Sequence, residues 1–251
     1  MNLNLTQIET ADFSWNAGTG CTYGCSFCYA RQKADGWLRQ TYLNGDWEGD
    51  PSWCSVDPFY PRFWPKRLKL SFPKNKISKN PYLERGQYMT FVCDMGDLFD
   101  LSMRREWIDK IFSVMCCHPH QVFQLLTKQA DIMSDYQATE WSSGFPKNIW
   151  AGVTVTSQYS IENISCLTDM KTSIRYVCFE PILSEIEVDL QGIDWIILGA
   201  QTKPFKKPHD EWVIDLVENA LCHGIPVFLK DSLSYLLNDQ DNLREFPPWR
   251  C

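Results

Sequence analysis

Short apolar runs alternate with longer stretches of mixed polarity along most of the 251-residue chain. The runs are nearly continuous in apolar residues, which is typical of strands that are buried on both faces of a sheet. Seven runs fit this description: Asp12–Trp15, Tyr88–Cys93, Gln121–Leu126, Ile149–Val155, Arg175–Phe179, Trp195–Leu198 and Pro226–Leu229. Strands that alternate with helical stretches predict a parallel α/β protein.

Two stretches between the strands have apolar residues at helical spacing. Residues 104–117 and 211–222 are therefore expected to form helices, and a further helix is expected to begin at Tyr29. The expected apolar faces are Trp107, Ile111, Val114 and Met115 in the first, and Trp212, Ile214, Val217 and Leu221 in the second.

The number of strand–helix units predicts the architecture. Six or seven units are too few for a closed eight-unit barrel but suit an open, partial (βα)6-type TIM-like barrel of parallel strands. A doubly wound sheet is the alternative that periodicity leaves open. We expect a single domain over residues 1–251, interrupted at 35–87, where Trp, Pro, Gly and charged residues predict an irregular insertion after the first unit.

Charge narrows the classes of partner. The net charge of −7 argues against a protein that coats nucleic acid by bulk electrostatics. Residues 62–79 are an exception, with seven basic residues, no acidic one, and Phe63, Trp64 and Phe72 between them. Such a stretch could bind a phosphate backbone and stack on bases. It could also bind a small anion or a redox protein. It could equally be a solvated connection in which the aromatics pack and the lysines face water.

The eleven cysteines favour metal chemistry over disulfides. No apolar segment is long enough to span a bilayer, and the first residues lack the pattern of a signal peptide. We therefore expect a cytoplasmic protein without membrane contact, in which thiols stay reduced.

Three of the cysteines, Cys21, Cys25 and Cys28, are spaced C-x3-C-x2-C. Three thiolates at this spacing can hold three irons of a [4Fe-4S] cluster, and the missing fourth ligand leaves one iron open to a substrate or cofactor. Glycines in the same run allow the backbone to wrap closely around a bulky group. The spacing predicts a catalytic rather than a closed structural metal site.

This motif, with the aromatic Phe27 between the last two cysteines, resembles the signature of radical S-adenosylmethionine (SAM) enzymes. More of the chain resembles a phage- and prokaryote-associated radical-SAM-like family of unestablished function. The matching runs are FSWNAGTGC (13–21), VCDMGDLFD (92–100), FQLLTK (123–128), WAGVTV (150–155), RYVCFEP (175–181), DWIILGAQ (194–201) and PVFLK (226–230).

The resemblance implies two cofactors, a [4Fe-4S] cluster and SAM, and residues that bind them. Phe27 resembles the aromatic that packs near adenine, and the alternative is a hydrophobic plug under the cluster. The run Asp94, Met95, Gly96 and Asp97 lies where the superfamily has a Gly-Gly-Glu-like motif for the amino group of SAM, although it departs from that motif. Thr154 or Thr156 is expected to accept a ribose hydroxyl, and Glu180 is expected either to do the same or to face the substrate.

Other polar residues follow the expected strands, where parallel barrels place their chemistry. Lys128, Glu180 and Gln201 are the candidate catalytic residues, and Lys230 is a further candidate for contact with an anionic group.

The resemblance thus implies an enzyme that cleaves SAM to a 5′-deoxyadenosyl radical and abstracts a hydrogen atom from its substrate. A nucleic acid base or nucleotide is the first expectation for that substrate, and an electron donor such as flavodoxin or ferredoxin is implied. The alternative is a non-catalytic iron–sulfur or zinc protein that senses redox state or binds nucleic acid.

Overall fold

A computed structural model describes residues 3–236 and 243–249 of the chain. The protein is of the mixed α/β class, and its principal strands are mostly parallel. Two compact units are distinguished: Met1–Lys79 with Leu83–Leu125, and Asn80–Tyr82 with Leu126–Cys251.

The first unit begins with short elements and ends in longer ones. Its elements are, in chain order, β1 (Asn4–Leu5), β2 (Phe13–Trp15), β3 (Gly18–Thr19), α1 (Tyr29–Asp35), α2 (Arg39–Asn44), β4 (Glu48–Gly49), α3 (Pro51–Cys54), β5 (Arg62–Phe63), β6 (Met89–Val92), α4 (Arg105–Cys116) and β7 (Val122–Thr127), with a 3₁₀ turn at Pro65–Arg67.

Strands β1, β2, β6 and β7 are neighbours in that order. β1 is antiparallel to β2, whereas β2, β6 and β7 are parallel to one another. Trp15 lies beside Val92 in the register and packs against Phe123, with 6.1 Å between ring centroids. The carboxyl ends of β2 and β6 therefore lie side by side, so the loops that follow them meet.

A small antiparallel sheet, in the order β3-β5-β4, supports the chain just before the cysteines. Its central residue is Arg62, whose fully buried guanidinium donates to the carbonyl oxygens of Tyr42, Asp57 and Tyr60. A buried cation is costly unless its donors are satisfied, so these three carbonyls fix the sheet in place.

The second unit alternates strands and helices. Its elements are, in chain order, α5 (Ala130–Glu140), β8 (Ile149–Thr154), α6 (Glu162–Asp169), β9 (Arg175–Phe179), β10 (Trp195–Leu198), β11 (Gln201–Thr202), β12 (Phe205–Lys206), α7 (Asp210–Cys222) and β13 (Val227–Leu229), with 3₁₀ turns at Gln158–Ser160 and Asp231–Leu236.

Strands β8, β9, β10 and β13 are parallel and adjacent in that order. The register places Thr154 beside Cys178, and Leu198 between Phe179 and Leu229. The carboxyl ends of these strands consequently lie along one edge, and residues that follow β9 and β13 directly come close together. β11 and β12 form a separate antiparallel hairpin.

The seven predicted strands correspond to β2, β6, β7, β8, β9, β10 and β13, within one or two residues at each end. The predicted helices correspond to α4 and α7, and α1 begins at Tyr29 as expected. The strands of the described residues form no closed barrel. The open TIM-like barrel and the single domain remain predictions.

Two expectations were wrong in detail. Helix α7 buries Val213, Leu216 and Ala220, spaced three and four residues apart, whereas Ile214 and Leu221 of the expected face are exposed. Residues 35–87 are not irregular throughout, because α2, β4, α3 and β5 lie within them. Elements of two to six residues are too short to display a period in sequence.

Two further findings concern the membrane and the thiols. Within the described ranges, no helix is long and apolar enough to cross a membrane. None of the ten cysteines at described positions forms a disulfide, and Cys251 lies outside those positions.

Candidate active site

The cysteine loop, residues 21–28, is fastened at its beginning. The backbone N–H of Cys21 donates to the carbonyl oxygen of Phe59 at 2.9 Å. The N–H and hydroxyl of Thr22 both bind the carboxylate of the buried Asp100, at 2.6 Å and 2.9 Å. The loop thus has a fixed starting point on the first unit.

The three thiols of the loop are half-buried. Cys28 is the N-cap of α1, and its Sγ accepts the backbone N–H of Arg31 at 3.4 Å. The Sγ of Cys21 accepts the N–H of Tyr23 at 3.3 Å. Backbone N–H groups directed at sulfur stabilise the thiolate form that binds metal ions.

The fit of the cysteine loop to a cluster depends on its donor atoms and on their protonation. Burial, and then the nearby carboxylate of Asp97, raise the pKa of the Cys21 thiol. Among residues 3–236 and 243–249, no three His, Cys, Asp or Glu side chains are gathered so that they could hold a metal ion. The donor set still fits an iron–sulfur cluster in kind, because one short loop supplies three half-buried thiols and two of them accept N–H groups.

The turn after β6 packs directly on the start of the cysteine loop. Gly20 and Gly96 form a parallel bridge. The N–H of Gly20 donates to the carbonyl oxygen of Met95 at 2.9 Å. In return, the N–H of Asp97 donates to the carbonyl oxygen of Gly20 at 3.2 Å. A Cβ on Gly96 would lie 2.5 Å from the carbonyl oxygen of Gly20, so the two backbones approach more closely than side chains would permit.

Asn16, which the sequence reasoning missed, organises this turn from the end of β2. Its amide nitrogen donates to the carboxylate of Asp94 at 2.5 Å, and its amide oxygen accepts the N–H of Met95 at 3.0 Å. The hydroxyl of Tyr29 donates to the carbonyl oxygen of Asp94 at 2.5 Å. Asp94 therefore joins β2, the turn after β6 and α1.

The remaining predicted residues of this turn have structural neighbours as well. Met95 is buried in a cluster with Phe59 and Trp64, against which Cys21 and Cys28 pack. Asp97 is also buried, and its carboxylate accepts the N–H of Phe99 at 3.0 Å. Phe27 is half-buried. The structure brings the predicted run beside the cysteine loop, and its binding of SAM stays a prediction.

In the second unit, Glu180 and Lys230 form an ion pair. Both follow strands directly, β9 and β13, and their side chains are only 26% and 15% exposed. The thiol of the buried Cys178 lies 3.8 Å from the same carboxylate and donates to it. A Cβ on Gly199 would lie 2.7 Å from the Glu180 carboxylate, so that glycine makes room for it.

Lys128 and Thr154 belong to the same edge of the second unit. The amide of Asn163 donates to the carbonyl oxygens of both, at 3.4 Å and 3.0 Å. The charge of Lys128 also lowers the pKa of the Cys178 thiol, although burial has the larger, opposite effect. Gln201 lies instead in the β11–β12 hairpin, where its amide donates to the carbonyl of Pro204 at 2.9 Å.

Gln124 is a further polar residue that the sequence reasoning did not single out. It lies on β7 and is fully buried, and within the described structure both polar atoms of its amide lack a hydrogen-bond partner. The available signal was a glutamine inside the otherwise apolar run FQLL. Such a group is unusual, since buried amides are normally satisfied.

In the first half of the basic stretch, residues 62–79, the side chains mostly pack in the core or pair with neighbouring groups. Phe63 and Trp64 are buried, and the guanidinium of Arg67 lies 4.0 Å from the ring centroid of Trp64. Lys66 pairs with Asp46. The aromatic rings at 63 and 64 are therefore part of the core and are not free to stack on bases.

The fold and the site define a mixed α/β protein in which a three-cysteine loop is held by the turn that follows a neighbouring parallel strand. Over residues 5–243 the chain matches the family described as Protein of unknown function (DUF5131), and it belongs to that family. No curated protein and no solved structure matches the chain significantly.

Proposed function

We propose that this protein is a radical SAM enzyme that acts on a nucleic acid base or nucleotide, for modification or repair. Cys21, Cys25 and Cys28 would hold a [4Fe-4S] cluster. With SAM bound, such a cluster would supply the electron that splits SAM into methionine and a 5′-deoxyadenosyl radical, which takes a hydrogen atom from the substrate. The finer fold that accompanies this proposal is the open (βα)6-type TIM-like barrel.

The observation that carries the proposal is the backbone contact between Gly20 and Gly96. It fixes the three-thiol loop against the turn Asp94–Asp97, which offers carboxylate and carbonyl acceptors. An ammonium group binds best to such acceptors. In this proposal, a cluster held by the loop and an acceptor site for the amino group of SAM would lie next to each other within the first unit.

The chain's own residues have separate tasks in this proposal. Asp94, oriented by Asn16, accepts the ammonium of SAM, and Phe27 keeps water away from the thiols. Glu180, paired with Lys230, accepts hydroxyl groups of the cofactor or substrate, and Lys128 attracts an anionic group to the same edge of its unit. Gln201 contributes a polar side chain from its hairpin.

The proposed reaction also requires an electron donor and a reducing compartment. The reduced cofactor requires one electron from a carrier such as flavodoxin or ferredoxin, and the reaction belongs in the reducing cytoplasm. The exposed lysines in the second half of the basic stretch support an anionic substrate.

Anaerobic reconstitution with iron and sulfide tests the proposal. We expect the wild-type chain to bind about four irons and, once reduced, to release 5′-deoxyadenosine from SAM. Cys21→Ala, Cys25→Ala and Cys28→Ala should each lose the visible absorbance of the cluster and at least about 90% of the released 5′-deoxyadenosine, because a cluster held by three thiols has none to spare.

Cys117→Ala and Cys222→Ala are the matched controls, since both thiols are exposed and lie outside the loop. They should retain the iron content and activity of the wild type. A full cluster that never cleaves SAM would favour the non-catalytic iron–sulfur alternative, and bound zinc without iron would favour the zinc alternative. A cluster that survives Cys25→Ala would overturn the ligand assignment.

A further inference from the structure

The second unit has a concave pocket at the amino ends of its strands. Its volume is about 630 Å³, within the range of small-molecule sites. It lies where β8 and β9 begin, whereas Glu180 and Lys230 follow the carboxyl ends of β9 and β13. The pocket is therefore separate from the predicted catalytic residues of this unit.

The charge of this pocket is opposite to that of the whole chain. Lys147, Lys171 and Arg175 line it, and no Asp or Glu is among the described residues of its lining. The chain as a whole carries a net charge of −7. Three cations concentrated in one concavity of an acidic protein attract anions locally, because a low-dielectric wall focuses their field.

Two of the three cations, Arg175 and Lys171, are held in place by backbone carbonyls. The guanidinium of Arg175 donates through Nε and Nη2 to the carbonyl oxygen of Met170, at 3.1 Å and 2.7 Å. The ammonium of Lys171 donates to the carbonyl oxygen of Ser142 at 3.1 Å. The carboxylate of Asp194 binds the backbone N–H of Arg175, at 2.8 Å, and not its guanidinium. These contacts orient the cations without neutralising them.

The apolar part of the lining is equally well fixed. Trp249 is only 6% exposed and packs edge-on against Trp150, and its indole N–H donates to the carbonyl oxygen of Lys147 at 3.1 Å. The hydroxyl of Ser173 donates to the same oxygen at 2.6 Å. Trp249 thus closes one side of the concavity and fixes the backbone at Lys147, and the cations are the groups that the pocket offers to a ligand.

We propose that this pocket binds the phosphate groups of a nucleotide, either free or within single-stranded nucleic acid. Arg175 provides a planar donor that matches phosphate, and Lys147 and Lys171 provide point charges. The inference does not rest on the proposed radical chemistry, and it is tested with the full chain in the absence of iron.

Calorimetric titration with ADP and with a short oligothymidylate tests the proposal. We expect both probes to bind the wild type at low salt, and Lys147→Glu with Lys171→Glu to weaken the binding of each about tenfold or more. Equal affinity per site for the two probes identifies a free nucleotide as the ligand. Tighter binding of the oligonucleotide, with a steeper dependence on salt, identifies a strand.

Lys203→Glu with Lys206→Glu is the matched control, because it changes the net charge equally at exposed lysines of the same unit. It should change the affinity for ADP less than about twofold. The proposal is overturned if wild type binds neither probe, or if both double variants weaken ADP binding equally. Circular dichroism of each variant shows whether a loss of binding reflects loss of fold. Arg175→Lys keeps the charge but loses the planar donor. This variant should remain folded and bind ADP more weakly than the wild type.

Discussion

The thiols of Cys93 and Cys178 are buried in the two separate units. Burial, followed by neighbouring carboxylates, raises the pKa of each from 9.0 to about 12. Both groups therefore remain protonated near neutral pH, and the thiol of Cys178 can donate its hydrogen to Glu180. The unfolded chain loses these protons at lower pH than the folded chain does.

This difference makes stability decrease in alkali. Above pH 9 the unfolded state binds fewer protons than the native state, so the free energy of unfolding falls as pH rises. For Cys178 alone the fall between pH 8 and pH 10 is about 1.4 kcal/mol. Urea unfolding at the two pH values should show that Cys178→Ala loses less stability than the wild type by this amount.

Cys222→Ala serves as the control for this prediction, because that thiol is exposed and free. It should lose as much stability between the two pH values as the wild type does. A general cost of the cavity left by Cys178→Ala is the same at both pH values and cancels in the comparison. Parallel losses in wild type and Cys178→Ala would contradict the shifted pKa.

Single residues also show where reasoning from sequence ends. The spacing of the cysteines and the run Asp94–Asp97 were visible, and the structure brings them together. Asn16 was not visible, because its importance comes from two hydrogen bonds to residues 78 and 79 positions away. Arg62 was counted with a basic surface, yet it is fully buried, since sequence reports charge and not the carbonyls that satisfy it.

At the scale of elements, the contact between the cysteine loop and the turn after β6 depends on two glycines. Gly20 has φ +92° and Gly96 has no room for a side chain. A Cβ on Gly96 would lie 2.5–2.6 Å from backbone atoms of Gly20, which cannot move without moving the loop. The loop and the turn are therefore coupled.

We expect Gly96→Ala to destabilise the protein by more than about 2 kcal/mol, since the clash is with backbone and not with a flexible side chain. The displaced loop should also hold less cluster, with iron content reduced by about half or more after reconstitution. Thermal unfolding and iron analysis of the purified variant measure the two effects.

Gly224→Ala provides the comparison for this substitution. Gly224 has φ +66°, but nothing lies within 4 Å of an added Cβ. The variant should be less stable by about 1–2 kcal/mol from backbone strain alone, with an unchanged iron content. If Gly96→Ala binds as much iron as Gly224→Ala does, the claim that the cysteine loop is coupled to the turn after β6 is wrong.

The seven principal strands were predictable because a strand buried on both faces is a continuous apolar run. The strands β3, β4 and β5 were not, since each is two residues long and pairs with distant segments. The buried face of α7 was misassigned because its flank also carries the exposed apolar residues Ile214 and Leu221. Sequence shows which residues are apolar, and only packing decides which of them face the core.

Among the described residues of this acidic chain, two basic regions differ in construction. The pocket in the second unit holds two of its three cations, Lys171 and Arg175, on backbone carbonyls. The basic stretch of the first unit uses Arg62 and Arg67 to brace its own core, whereas Lys74 and Lys76 are exposed. If the stretch binds nucleic acid, it does so through these lysines and not through buried rings.

The last prediction follows from that division. Lys74→Glu with Lys76→Glu should weaken the binding of a single-stranded oligonucleotide. The plot of log affinity against log salt concentration should become shallower by about 1.4, the value for two lost phosphate contacts. The fold should tolerate the change, because both side chains are exposed. Lys203→Glu with Lys206→Glu, which alters the net charge equally, should leave the slope unchanged. An unchanged slope in the first variant would assign residues 62–79 to a solvated connection and leave the nucleic acid proposal to the pocket alone.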